Sequence, residues 1–129
     1  MRAPHLILVG GLCVAGAVGA VVQDYESFEG KPSVFSQDSW NDLRPILELS
    51  ADPGCVLGGL AQDLAITGRF NQKPEQLVLQ TLGRPDRRLD TELVYAVGQC
   101  HGWGWRHSEL VLQLSAEATV SRVELRASL

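Results

Sequence analysis

The chain has no excess of positive charge. Lys and Arg number 11 against 15 Asp and Glu, for a formal net charge of -4 over 129 residues. A nucleic-acid-binding protein needs a basic face to neutralise phosphates, so the charge argues against that class. The basic residues that cluster, Arg84, Arg87 and Arg88, alternate with Asp86 and Asp90 and read as a solvated loop. No Gly-x-Ser-x-Gly elbow and no phosphate-cradling glycine loop is present, which removes the motif-borne routes to nucleophilic and nucleotide chemistry. Carboxylate pairs such as Glu26 and Glu29 fall in a polar stretch rather than in a sequence context that builds a dry pocket for acid–base work. No internal repeat is visible, and the length allows one small domain. Cysteine is scarce. Of three, Cys13 sits in an apolar N-terminal run, leaving Cys55 and Cys100. An oxidising compartment would permit them to bridge, but spacing alone leaves bridged and unbridged forms open.

The N-terminus carries the clearest targeting signal. Arg2 precedes a run from Leu6 to Val22 without a charged residue, and Asp24, Glu26 and Glu29 follow. This is the polarity of a signal peptide or a membrane anchor over residues 1–22. Val18-Gly19-Ala20 offers small residues for cleavage after Ala20, whereas Gly11, Ala15 and Gly19 at four-residue steps suit helix packing in a membrane. Leu12 before Cys13 is a poor context for lipidation. An exported protein, periplasmic or held in the cell envelope, is expected. Residues 23–38, with Gly30 and Pro32, read as a polar linker, and 39–129 as the domain.

Within the domain, Ser39 and Asp42 resemble a capping box for a short helix near Trp40 that Pro45 interrupts. Asp52-Pro53 predicts a helix start, after which Leu57, Leu60, Ala61, Leu64 and Ala65 share a face and Gly68 is the stop. Gly58-Gly59 permits close approach of another element. A second helix is predicted from Pro74, with Val78, Leu79 and Leu82 inward and Gly83-Arg84-Pro85 as its end. The spacing then switches to alternation. Leu93, Tyr95 and Val97 share a face, as do Leu110, Leu112 and Leu114, and then Val123 and Leu125 opposite Arg122, Glu124 and Arg126. The expected fold is α+β: two amphipathic helices packed on one face of a three-stranded antiparallel meander. The outward face, with Arg122 and Arg126, is mixed in charge and is a candidate surface for a partner.

Cys100-His101-Gly102-Trp103-Gly104-Trp105-Arg106-His107 holds two of the three tryptophans and two of the three histidines. Three readings are open. Trp103 and Trp105, two apart on an extended chain, could pad the end of the core. With Arg106 they could form an exposed contact for a protein partner. Cys100, His101 and His107 could contribute to a small-molecule or metal site using residues 100–107, although no fourth ligand is evident. No catalytic residue and no cofactor is assigned, and a small enzyme of unstated class is the residual alternative.

Taken together, Leu82-Gly83-x-Pro85-Asp86, Val94-Tyr95-Ala96-Val97-Gly98, Leu110-Val111-Leu112-Gln113-Leu114 and Val120-Ser121-Arg122-Val123-Glu124-Leu125 resemble the SmpA/OmlA type. That group comprises small envelope lipoproteins of the outer-membrane barrel-assembly machinery, with β-lactamase-inhibitor-like modules in the wider group. Asp63-Leu64 and Gly68 fit the helix before the pattern. The resemblance covers roughly Cys55 to Leu125. It implies helices on a three-stranded sheet, no enzyme activity and binding to other envelope proteins. The chain departs from the pattern at Leu12-Cys13 and at its last turn, Ser115-Ala116-Glu117-Ala118-Thr119, where an Asp-Gly-like sequence is common.

Overall fold

A computed structural model describes Phe28 and residues 30–128. The leader expected over residues 1–22 lies outside the described residues, as does most of the linker before Gly30. Among the described residues, no helix is long and apolar enough to cross a membrane. Among the described residues, three helices precede a four-stranded sheet. They are α1 (Gln37–Leu43), which runs on into a 3-10 segment (Arg44–Glu48), α2 (Gly58–Thr67) and α3 (Glu75–Leu82). The strands are β1 (Arg87–Leu89), β2 (Glu92–His101), β3 (Arg106–Leu114) and β4 (Val120–Ala127). They form an antiparallel sheet in the order β1-β2-β3-β4. The α+β class stands; the described residues hold three helices where two are expected and four strands where three are expected.

The extra strand is the arginine-rich stretch. Arg87, Arg88 and Leu89 pair with Val94, Leu93 and Glu92 across a two-residue turn. Three exposed residues with no apolar alternation carry no strand signal of their own. Pairing with β2 imposes the conformation, and Arg87–Glu109 (2.6 Å) and Arg88–Glu75 ion pairs hold the side chains.

The inward faces follow the alternation. Leu93, Tyr95 and Val97 of β2, Leu110, Leu112 and Leu114 of β3, and Val120 of β4 are buried with Leu57, Leu60, Ala61 and Leu64 of the α2 region and Val78 and Leu82 of α3. Trp40 is fully buried and meets Tyr95 edge-on at 6.0 Å. The outward face is less wet than the pattern suggests. Val94 and Val111, opposite each other in register, are also buried. They stand in a row between Arg87 and Glu124. In the next row, Arg126 reaches both Glu109 (3.4 Å) and Glu92 (3.3 Å).

Helix boundaries differ at two starts. Ser36 caps α1, its hydroxyl accepting from the Ser39 amide, so Ser39 lies inside the helix. Asp52-Pro53 does not begin α2. The chain stays irregular to Leu57 because Gly54 takes φ +75 and binds β2: its carbonyl accepts from the Gln99 amide (2.7 Å) and its own amide donates to Gln99 Oε1 (2.9 Å). Gly68 in the left-handed region and Gly83 end α2 and α3 at the expected places. Phe28 and residues 30–36, part of the stretch whose composition reads as a linker, lie against the domain. Ser33 donates to the Gly59 carbonyl (3.0 Å), Phe35 is buried, and its amide donates to Asp63 (2.9 Å). At the last turn, Ala118 adopts φ +58, the left-handed place that a glycine commonly fills in such hairpins.

Candidate functional site: the tryptophan hairpin and its anchorage

The β2–β3 connection is a tight turn. Gly102, Trp103 and Gly104 have φ of +58, +58 and +82, and the Gly104 and Trp105 amides donate back to the His101 and Gly102 carbonyls, both at 3.2 Å. The local chain is therefore not extended, and Trp103 and Trp105 do not pad the core. They are 55% and 75% exposed. Arg106 pairs with His101 at the base of the hairpin.

The base is anchored on several sides. Cys55 and Cys100, whose pairing spacing alone left open, form a disulfide that joins the loop before α2 to β2 across 45 residues. Gly58 lies against both sulfurs, where a side chain would collide. Gly98, at φ +104, lies so close to the Gly54 carbonyl that no Cβ fits. These two glycines allow the loop, the helix and the strand to meet. Gln99 is buried and clamps the loop further, its amide nitrogen donating to Asp52 Oδ1 (3.1 Å) and to the Trp105 carbonyl (3.4 Å). The Ser108 hydroxyl accepts from the Cys100 amide (3.0 Å) and sits 2.6 Å from His101 Nδ1. His101 is itself buried, with Phe28 edge-on at 5.3 Å.

This geometry settles the placement of the candidate ligands. The Cys100 sulfur is held in the bridge and offers no thiolate. His101 points at Ser108, and His107 is exposed. Among the described residues, no group of three His, Cys, Asp or Glu side chains is arranged to hold a metal ion. Ser108 and His101 form a buried pair, the Ser108 hydroxyl also accepting from the backbone of β2.

Arg122 and Arg126 stand apart from the hairpin. Both lie on the outward face of β4, opposite Gln113 and Glu109. Four residues along a strand separate them by about 13 Å. Arg126 is spent on Glu92 and Glu109, and Arg122 on Glu124 (2.9 Å). The predicted contact residues thus fall on two surfaces.

A second junction, at the Leu82-Gly83-x-Pro85-Asp86 turn, is organised by residues the sequence reading did not single out for this role. The Leu82 carbonyl accepts from Trp40 Nε1 (3.0 Å) and Arg44 Nη1 (2.7 Å), and the Gly83 carbonyl accepts from the Tyr95 hydroxyl (2.7 Å). Arg44 also donates to the Arg84 carbonyl and reaches Asp86 at 3.5 Å. The end of α3 is thereby satisfied by side chains from α1, the 3-10 segment and β2. Burial pushes the Tyr95 phenol well above its ordinary range, which keeps it a donor. An open cleft of about 1140 Å³ lies beside this junction, with Leu47, Leu79, Arg84 and Ala96 among its walls. Arg44, Arg87 and Arg88 along it are engaged in hydrogen bonds or ion pairs within the fold.

Comparison of the chain with protein-family models, curated proteins and solved structures finds no match in any of the three.

Proposed function

We propose that this protein is a non-enzymatic protein-binding module of the cell envelope, exported or membrane-anchored through residues 1–22, with Trp103, Trp105 and Arg106 as its contact residues. The observation that carries the reading is the exposure of Trp103 and Trp105 on a hairpin whose base is fixed by a disulfide, Gln99 and Ser108. Two large aromatic side chains held out on a fixed turn lose little freedom on binding, and Trp and Arg dominate the energetics of protein contacts. The leader pattern and the resemblance to the SmpA/OmlA type support an envelope location and other envelope proteins as partners.

The test is photo-crosslinking in the native cells, from a photoreactive residue placed at His107, beside the turn. A discrete adduct with an envelope protein is expected. Trp103→Ala with Trp105→Ala should reduce it by at least roughly tenfold, as expected for removal of two contact anchors. The thermal midpoint should hold, because both side chains are largely outside the core. An adduct of unchanged yield in the double variant refutes the assignment of the hairpin.

A further inference from the structure

The sheet ends in a long edge. The Ser128 amide donates to the His107 carbonyl (2.7 Å), which marks 107/128 as a hydrogen-bonded position of the β3–β4 ladder. Such positions recur every second residue in antiparallel pairs. With the observed register they fall at Glu109/Arg126, Val111/Glu124 and Gln113/Arg122. The backbone groups of Arg122, Glu124 and Arg126 are therefore used on β3, and those of Val123, Leu125 and Ala127 face away from the sheet. At the start of the strand this outer side is already taken: Val120 exchanges hydrogen bonds with Gln72 and Lys73, both 2.8 Å. Beyond Val120, no described segment pairs with the edge.

Natural edges are commonly blunted by charged side chains, proline, an inward-facing charge or a bulge. From Arg122 to Ala127 this one has no proline, no bulge and no inward-facing charge; its charges are confined to the outward face. The one irregularity of the β3–β4 pairing lies just before it, at Ser121, the extra β4 residue between the Gln113–Arg122 and Leu114–Val120 pairs, and the inward residues Val123, Leu125 and Ala127 are apolar. The outward side chains are charged in the order plus, minus, plus: Arg122, Glu124, Arg126.

We infer that this edge pairs antiparallel with the same edge of a second copy of the chain, about a two-fold axis at Leu125. Charge and space select that register. With the axis at Leu125, Glu124 of each copy faces Arg126 of the other, Leu125 faces Leu125, and Val123 faces Ala127. Moving the axis to Glu124 sets Glu124 against Glu124 and Arg122 against Arg126, which like-charge repulsion disfavours. Moving it to Val123 brings the second copy onto Val120, where Gln72 and Lys73 already sit. The chosen register joins two four-stranded sheets into one of eight, with outward amides and carbonyls paired. This inference is independent of the tryptophan hairpin.

Amide hydrogen exchange on the purified full chain, at dilute and concentrated protein, tests it without any substitution. The Val123, Leu125 and Ala127 amides should gain protection as concentration rises, while the β2–β3 amides stay constant. Sedimentation equilibrium should show a dimer in the same range. The exchanged pair Arg122→Glu with Glu124→Arg keeps the contact along β4 but sets Arg against Arg126 of the second copy. It should weaken the dimer at least roughly tenfold, a difference of about 1.4 kcal/mol, with native-like unfolding. A dimer indifferent to the exchange, or outward amides unprotected at every concentration, overturns the proposal. Protection that appears only when another envelope protein is added assigns the edge to a foreign strand and also overturns it.

Discussion

Individual residues here matter most where they have least room. Gly58 opens α2, where alanine is ordinarily the better helix former by up to about 1 kcal/mol. Its site faces both sulfurs of the bridge, and overpacking costs about 1–3 kcal/mol. Gly58→Ala is expected to lose stability, net about 1–2 kcal/mol, in urea unfolding; a gain would mean the bridge yields freely. Tyr95 is decided by burial. Its phenol titrates above the ordinary value of 10.0 in the folded chain, so its contribution is fully present below pH 10 and is lost as pH rises and only the unfolded state ionises. Stability should fall from about pH 10 upward, and Tyr95→Phe should flatten that slope while costing about 1 kcal/mol at neutral pH through the bond to Gly83. Denaturant midpoints between pH 7 and 11 measure both. Of these two roles, close packing at Gly58 was foreshadowed by the Gly58-Gly59 pair. The Tyr95 bond was not, because a residue in an alternating strand announces its face and not its polar partner.

At the scale of elements, the regular pieces were legible and the irregular ones were not. Leu110, Leu112 and Leu114 alternate over a strand buried on one side by helices, and Gly68 and Gly83 end helices because left-handed or unusual backbone requires them. Asp52-Pro53 has the chemistry of a helix start, yet three hydrogen bonds with Gln99, 45 or more residues away, hold the stretch irregular. β1 was hidden for the same reason: its conformation belongs to its partner. The hairpin's position could be read from Gly102 and Gly104, but the outward placement of Trp103 and Trp105 depends on the turn itself. The loop before α2 and the tip of the β2–β3 hairpin are thus one mechanical unit. Cys55→Ala with Cys100→Ala should lose about 3–4 kcal/mol, the chain-entropy value for a loop of this length. The same variant should raise the flexibility of the hairpin, read as faster exchange of the Gly104 and Trp105 amides. Unchanged exchange would show that Gln99 and Ser108 suffice.

The whole molecule is a meander in which each strand neighbours the next in sequence, joined by turns of two to five residues. Closing such turns costs little chain entropy, whereas bringing Cys55 to Cys100 closes a loop of 45 residues. The place where Cys55 lands, beside Gly98 and Gln99, exists only once β2 has taken its irregular register on β3. The expected order of assembly is therefore hairpins first and the sulfur–sulfur bond late. That order makes the two thiols a clock for folding: a chain whose Cys55 no longer takes up an alkylating reagent is one whose sheet has already closed.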